Sequence, residues 1–292
     1  MPITRRKLLG TVGAAAYAAM FASPGQASVS PSAAGQRLEG LACNMESWWT
    51  DLPFMQRFEQ AAAHGFTAIE FWNHSVDDRD MDAVAELCRR LGLDVVQFTG
   101  WGGPSLADPV NHEKFADSIR YAVELAHKLD APMFTVVGHQ QIEGLGQEEC
   151  LSNLSKALES VVAILEDGEK TLILEPFNPV DHQGHFLNGS ADALAICRHI
   201  DSPFIKINWD LYHMQLSEGN LVANMRSGLD QIAYVQVADV PGRHQPGSGE
   251  LNYEFIFKEL QGMGYKGPVG LECWPDQNGE QQAIADIVAL RR

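Results

Sequence analysis

The stretch "TLILEPFN", residues 171–178, ends an apolar run on Glu175, whose side-chain oxygens can bind a metal, and three later stretches likewise end an apolar run on a residue with such an oxygen. In "FIKINWD" (204–210), "IAYVQVAD" (232–239) and "GPVGLE" (267–272) the corresponding residues are Asp210, Gln236 and Glu272. The four residues follow one another at intervals of 35, 26 and 36 positions. One strand–helix unit of an eightfold α/β barrel takes about 31 residues. The spacing therefore predicts four successive barrel strands that carry these side chains to one ring at the C-terminal mouth.

The remainder of the chain from Leu38 onwards alternates apolar, strand-like runs with stretches of helical periodicity. Strict alternation of this kind is typical of a parallel sheet, and a count of eight strands favours closure into a (β/α)8 TIM barrel. A doubly wound open sheet is the alternative. The predicted strands cover residues 38–44, 67–72, 93–98, 133–137, 171–175, 204–210, 234–238 and 269–272.

The first 27 residues have the pattern of an export signal. A basic start at Arg5, Arg6 and Lys7 precedes an apolar, alanine-rich stretch, and small residues flank Gln26 before Ala27. The paired arginines predict a twin-arginine signal, followed by a linker at 28–37 and a single catalytic domain at 38–292. An ordinary Sec signal or an uncleaved segment is the alternative, although the run is too short for a stable membrane anchor. We therefore expect a periplasmic protein.

Charge and cysteine content limit the classes of partner. The net charge of −17 repels polyphosphate, so nucleic acid is not an expected partner. The five cysteines are odd in number and form no CxxC pair, which predicts small buried residues rather than a disulfide framework. A homo-oligomer is compatible with the sequence, but the sequence identifies no interface.

The predicted ring is suited to a divalent cation. Three carboxylates at one barrel mouth repel one another unless they are protonated or neutralised by a cation. A ligand set of Glu175, Asp210, Gln236 and Glu272 contains only oxygen donors, so Mg²⁺ or Mn²⁺ is preferred over Zn²⁺. Each residue also has a plainer interpretation. The glutamates could pair with basic residues, Asp210 could cap the next helix, and Gln236 could bond to the backbone.

Two glutamates beside one metal indicate proton transfer. A metal that holds both oxygens of an α-hydroxycarbonyl compound stabilises the enediolate that remains when the α-proton leaves. Glu175 and Glu272 could remove and return that proton. This chemistry predicts an aldose–ketose isomerase. The alternatives are a ketose epimerase, a keto-glycoside lyase or hydrolase, and a non-catalytic sugar-binding protein.

Further residues at the predicted mouth are candidate substrate contacts. One helical turn brings His213 back toward Asp210, and Arg243 lies in a loop rich in glycine and proline after the seventh strand. Structural roles, such as a buried histidine, a loop salt bridge or aromatic packing, are the alternatives. The remaining candidates are Glu70, Trp72 and His74 at the end of the second strand, and Trp101 after the third.

Four segments resemble the hydroxypyruvate isomerase family, which belongs to the xylose isomerase-like barrels. They are "LEPFN…GHFLN", "DLYHMQLSEGNL", "VQVADVPGRHQPGSGELNY" and "VGLE", and the likeness extends over the chain from Leu38. The resemblance implies a divalent metal at Glu175, Asp210, Gln236 and Glu272, with the two glutamates as the acid/base pair. It also implies substrate contacts from His213 and Arg243.

One departure from the family pattern bears on the substrate. After "EPFN" the family usually has threonine, arginine and aspartate, whereas this chain has Pro179, Val180 and Asp181. The arginine that could anchor an acid substrate is therefore absent at Val180. We expect the substrate to be a hydroxypyruvate-like keto acid, a sugar or a sugar acid.

Overall fold

Eight parallel strands form a closed barrel in the computed structural model, which describes residues 37–72, 79–137 and 139–291. Each strand pairs with its neighbours in sequence order, and β8 pairs with β1 to close the cylinder. The predicted TIM barrel is thereby confirmed, with strand ends that differ from the predicted ones by up to three residues. The strands are β1 (Leu38–Asn44), β2 (Phe66–Phe71), β3 (Asp94–Trp101), β4 (Met133–Val136), β5 (Thr171–Leu174), β6 (Ile205–Asp210), β7 (Ile232–Gln236) and β8 (Val269–Leu271).

The helices surround the barrel, and the described part of the chain contains ten α-helices where eight were predicted. The two additional helices arise because the connections after β4 and after β6 each contain two helices. The helices are α1 (Phe54–Ala63), α2 (Met81–Leu91), α3 (His112–Leu129), α4 (Gln147–Ser160), α5 (Val162–Gly168), α6 (Ser190–Ile200), α7 (Leu211–Ser217), α8 (Leu221–Gly228), α9 (Tyr253–Gly262) and α10 (Glu280–Leu290). A short 3-10 helix (Pro109–Asn111) precedes α3.

Several predicted features lie outside the described residues. These are the export signal at 1–27, the linker up to residue 36, and His74. Among the described helices, none has the length and apolar character needed to cross a bilayer.

Inside the barrel, an apolar layer lies directly below a polar one. The apolar layer consists of Ala42, Ala68, Val96, Ile173 and Tyr234. Side chains two positions apart on a strand point to the same face, so the next inward residues after four of these are polar. They are Asn44, Glu70, Glu175 and Gln236. The barrel interior therefore becomes polar toward the C-terminal ends of the strands.

Gly270 of β8 leaves space for this polar layer. A methyl group at Gly270 would overlap Tyr234 Oη and would lie 2.9 Å from both Gln236 Cγ and Glu70 Oε2. We expect Gly270→Ala to lower the free energy of unfolding by about 1–3 kcal/mol, measured by urea denaturation, because the interior cannot expand. Gly262→Ala is the matched control, since nothing lies within 4 Å of the added methyl group. Equal stability of the two variants would contradict this account of the interior.

The five cysteines are all free and buried. This agrees with the prediction that they fill space in the core and form no disulfide framework. Their positions are Cys43, Cys88, Cys150, Cys197 and Cys273.

Candidate active site at the mouth of the barrel

Three carboxylates meet at the C-terminal mouth, as the strand spacing predicted. Glu175 directly follows β5, Asp210 is the last residue of β6, and Glu272 directly follows β8. All three side chains are buried. Since β5 and β8 are three strands apart in a barrel of eight, the two glutamates enter the mouth from widely separated directions.

Arg243 links two of these carboxylates. Its Nη2 lies 3.0 Å from Asp210 Oδ2 and 2.9 Å from Glu272 Oε1. The guanidinium also lies over two aromatic rings, with its central carbon 4.9 Å from the centre of Tyr212 and 5.5 Å from that of Trp274. Arg243 was predicted as a substrate contact, and it lies within the ring of acidic residues.

Burial and mutual repulsion dominate the electrostatics of the ring. Burial raises the pKa of Glu175 well above its usual value, and the charges of Glu272 and Asp210 raise it further. Burial likewise raises the pKa values of Glu272 and Asp210, while the Arg243 guanidinium opposes the shift in both. Removal from water favours the neutral acid unless a nearby cation stabilises the ionised form. One arginine therefore compensates the three carboxylates only in part.

The chemistry of this ring fits a divalent cation. Three ionised carboxylates and one guanidinium leave two negative charges in excess, which a divalent ion would balance. Among the described residues, Glu175 Oε1 and Glu272 Oε2 are buried oxygens without a hydrogen-bond partner. In addition, one potential ligand atom each from Glu175, Asp210 and His213 lies within 4.8 Å of the others.

The hydrogen bonds of His213 determine which of its nitrogens carries the proton. Asn178 Oδ1 accepts from the backbone N–H groups of Val180 (2.9 Å) and Asp181 (2.8 Å), which fixes the orientation of the amide. Asn178 Nδ2 therefore donates to His213 Nδ1, at 2.7 Å. Burial lowers the pKa of His213 well below its usual value, which favours the neutral ring. In a neutral ring whose Nδ1 accepts from Asn178, the proton lies on Nε2.

The protonated nitrogen of His213 faces the acidic ring. Nε2 lies 3.5 Å from Asp210 Oδ2 and 3.7 Å from Glu175 Oε1. A protonated nitrogen has no lone pair for a metal, but it can donate a hydrogen bond to a substrate oxygen. This tautomer therefore suits the substrate contact predicted from the sequence better than a role as a metal ligand.

Gln236 and Glu70 form a buried network beneath the ring. Gln236 Nε2 lies 3.1 Å from both carboxylate oxygens of Glu70, and Gln236 Oε1 accepts from Asn208 Nδ2 at 2.6 Å. An amide oxygen has two lone pairs, so one remains available to a cation at the mouth. Asn44 and Gln97 also donate to the Glu70 carboxylate, each at 2.9 Å. Glu70, predicted as a substrate contact, is thus fully buried, with its carboxylate among these amides.

Trp101, also predicted as a substrate contact, lies at the end of β3. A register shift between Thr99 and Trp101 interrupts the pairing of β3 with β4. Trp101 is buried and packs edge-to-face against Phe115 of α3, with ring centres 5.5 Å apart. It therefore belongs to the packing between sheet and helices. Trp72, in contrast, remains partly exposed beside β2, where it was expected.

Three residues of the site were not selected from the sequence. Asn178 orients His213, Asp239 organises the loop that carries Arg243, and Trp274 lies beside the arginine. Trp274 could have been selected from the sequence, because it follows Glu272 by two positions as Trp72 follows Glu70. The other two form contacts that strand spacing does not indicate.

The ring should bind a divalent cation with a measurable gain in stability. A ligand that binds only the folded state at one hundred times its dissociation constant stabilises the protein by about 2.7 kcal/mol. We therefore expect Mg²⁺ or Mn²⁺ to raise the melting temperature by several degrees, and Asp210→Asn to abolish most of that increase. Asparagine still caps α7 where Asp210 accepts from Tyr212 N, so the variant should fold. An increase of the same size in the variant would exclude Asp210 as a ligand.

Comparisons with known proteins agree with the fold. The model of the xylose isomerase-like TIM barrel family matches residues 58–292. Hydroxypyruvate isomerase of Escherichia coli (strain K12) is 29% identical over 249 residues, which cover 82% of this chain and 95% of that protein. 2-Oxo-tetronate isomerase of Cupriavidus necator is 31% identical over 251 residues, which cover 80% of this chain and 92% of that protein.

Among solved structures, a family 2 AP endonuclease from Brucella melitensis superposes with a TM-score of 0.80. It is 27% identical to this chain, and the match covers 86% of this chain and 99% of that one. The family model accounts for most of the chain, and the two isomerases align over nearly their whole length. The chain therefore belongs to the xylose isomerase-like TIM barrel family and is related, at 29–31% identity, to hydroxypyruvate and 2-oxo-tetronate isomerases.

Proposed function

We propose that this protein is a metal-dependent isomerase of an α-hydroxycarbonyl compound, acting through an enediolate. The observation that carries the proposal is the placement of Glu175 and Glu272. Both are buried at the mouth, on strands three apart, and each has a carboxylate oxygen without a hydrogen-bond partner among the described residues. A protein that only binds sugar has no need of two such groups.

The two glutamates supply proton transfer in this proposal. One carboxylate takes the proton from the hydroxyl-bearing carbon, a proton returns to the former carbonyl carbon, and the hydroxyl proton passes to the former carbonyl oxygen. Arg243 holds Glu272 and Asp210 through its Nη2, which keeps the Glu272 side chain oriented toward the mouth. His213, protonated on Nε2, donates to an oxygen of the substrate. Its orientation depends on Asn178.

Glu175, Asp210, Gln236 and Glu272 would hold the metal. A divalent ion, Mg²⁺ or Mn²⁺, would supply electrostatic stabilisation of the two oxygens of the enediolate. Carboxylate and amide oxygens are the ligands that these ions prefer.

The names of the relatives indicate the substrate class. The related proteins are isomerases of hydroxypyruvate and 2-oxo-tetronate, both of which are 2-oxo acids with a neighbouring hydroxyl group. We infer a substrate of the same functional class, a keto acid, sugar or sugar acid. Nucleic acid is not favoured despite the structural likeness to an AP endonuclease, because the chain has a net charge of −17.

Proton NMR in D₂O tests the proposal directly. The protein, loaded with Mg²⁺ or Mn²⁺, is incubated with hydroxypyruvate, 2-oxo-tetronate, and a series of ketoses and aldoses. We expect deuterium at the carbon next to the carbonyl group, together with the aldose–ketose isomer of one compound. Signals of an inverted stereocentre would indicate an epimerase instead, and a broken glycosidic bond in a keto-glycoside would indicate a lyase or hydrolase. Binding without any exchange would exclude the enediolate mechanism.

We also propose export to the periplasm, based on the twin arginines of the N-terminal segment. Cell fractionation of the full chain and of a variant with lysine at both Arg5 and Arg6 tests this. We expect periplasmic protein for the natural chain only. An unchanged distribution in the variant would contradict the twin-arginine route.

A further inference from the structure

Two tryptophans from different strands meet at the mouth of the barrel. Trp72 lies two residues after Glu70 at the end of β2, and Trp274 lies two residues after Glu272 beyond β8. Because β2 and β8 are the two neighbours of β1, both side chains project beside the end of that strand. Their ring centres are 6.0 Å apart, with the planes inclined at 59°. We call Trp72 and Trp274 the tryptophan pair.

The two members of the tryptophan pair are partly exposed, whereas the other tryptophans are buried. The chain has six tryptophans, and four of them are buried: Trp48, Trp49, Trp101 and Trp209. The two members of the pair are only partly buried. An indole left partly exposed at the mouth of the barrel presents an apolar face together with an N–H donor, a combination common in ligand sites.

Contacts with the acidic ring fix the position of Trp274. Its backbone N–H donates to the carbonyl oxygen of Arg243 at 2.9 Å, and its own carbonyl oxygen lies 2.9 Å from His244 Nδ1. The central carbon of the Arg243 guanidinium lies 5.5 Å from the indole centre, while Nη2 of the same group lies 2.9 Å from Glu272 Oε1. The indole therefore lies beside the arginine that contacts Glu272.

Trp72 is held from the opposite side. Its backbone N–H donates to Glu46 Oε1 at 3.1 Å, and Glu46 forms a nearly buried ion pair with Arg79. Arg79 in turn lies over the ring of Phe54, 3.8 Å from its centre. The backbones of both tryptophans are therefore anchored, which reduces the conformational entropy that they lose when a ligand binds.

The chemistry of the pair indicates the length of the substrate. In a three-carbon keto acid, every carbon belongs to the carbonyl, hydroxymethyl or carboxylate group, and the acidic ring must bind all three groups. A longer polyhydroxy chain has further carbons, and their C–H bonds pack favourably on an aromatic face. Resting on the function proposed above, we propose that the tryptophan pair binds the distal carbons of a sugar or sugar acid of at least four carbons, and so selects against three-carbon keto acids.

Substrate series of increasing chain length test this inference. Values of kcat/KM are measured for hydroxypyruvate, 2-oxo-tetronate and five- and six-carbon ketoses with the natural protein and with Trp72→Ala and Trp274→Ala. Removal of one or two apolar contacts changes discrimination about tenfold or more. We expect losses of about that size for substrates of four or more carbons and a smaller loss for hydroxypyruvate, so that the ratio of kcat/KM between long and short substrates falls. Trp274→Phe should retain most of the activity, and Phe255→Ala, at an exposed position on α9, serves as the control. Equal losses for all chain lengths, or no loss, would overturn the proposal.

A binding measurement separates this inference from the proposed reaction. Because only the tryptophan pair is partly exposed, acrylamide quenching of tryptophan fluorescence reports mainly on these two residues. We expect xylitol and sorbitol, which have no carbonyl group and cannot react, to protect the fluorescence of the natural protein but not that of Trp72→Ala or Trp274→Ala. Protection without exchange in D₂O would support the subsite while refuting the isomerase mechanism. Absence of protection by every sugar and sugar alcohol would overturn the subsite, whatever the activity.

Discussion

Glu272→Gln is expected to lower the rate of hydrogen exchange between substrate and solvent by about 10²–10⁴-fold. General acid–base groups contribute factors of this size, and an amide cannot accept the proton. The substitution retains the volume of the side chain and an oxygen that can still accept from Arg243 Nη2, which lies 2.9 Å away in the natural protein. The geometry of the ring should therefore persist. The measurement is deuterium incorporation at the carbon next to the carbonyl group, followed by proton NMR.

The melting temperature of Glu272→Gln is a second measurement. Burial and like charges raise the pKa of Glu272, so removal of its charge should leave the melting temperature unchanged or raise it. Glu39→Gln is a suitable control, because the Glu39 side chain is 77% exposed on the first strand, away from the mouth. Exchange in Glu272→Gln at more than one tenth of the natural rate would remove Glu272 from the acid/base pair.

Asp239→Asn is expected to reduce both stability and activity. Asp239 is fully buried after β7, and its carboxylate accepts four backbone N–H groups at 2.9–3.1 Å. The donors are Val240, Gly247, Gly249 and Leu251. Asparagine would direct an NH₂ group at two of these donors. Each charge-assisted hydrogen bond contributes about 1.5–3 kcal/mol, so a loss of about 3–5 kcal/mol in the free energy of unfolding is expected.

The effect of Asp239→Asn on activity follows from the loop that this residue organises. The loop carries Arg243, whose backbone adopts a left-handed conformation with φ of +56°. A displacement of about 1 Å in a positioning group can lower activity about 10²-fold. Urea denaturation and kcat/KM are the two measurements, and Asp117→Asn, 72% exposed, is the control. If Asp239→Asn had the same free energy of unfolding and the same kcat/KM as the Asp117→Asn control, the Asp239 carboxylate would not stabilise the loop.

Local patterns accounted for the strands and for the acidic ring. The spacing of Glu175, Asp210 and Glu272 predicted their convergence, and the structure places them at one mouth. The prediction succeeded because the repeat length of strand–helix units and the two-residue period of a strand are properties of short segments. The same reasoning did not anticipate that Trp101 packs against Phe115 of α3, next to a shift in the register of β3.

The surroundings of each polar group within the barrel could be identified only from the tertiary structure. Glu70 ends an apolar strand as Glu272 does, yet Glu70 is enclosed by the amides of Asn44, Gln97 and Gln236. The difference depends on which side chains of neighbouring strands approach it. Those neighbours are distant in sequence, so strand periodicity does not contain this information.

The sequence by itself therefore determined the barrel, the order and approximate positions of its strands and the residue types at its mouth, because these follow from short-range periodicity and spacing. The tertiary structure alone decided how Arg243 enters the acidic ring, how Asn178 fixes the proton of His213, and that Trp72 and Trp274 meet. These arrangements depend on closure of the barrel between β8 and β1 and on the loop around Asp239. Both features bring together atoms from distant parts of the chain, at distances set by packing.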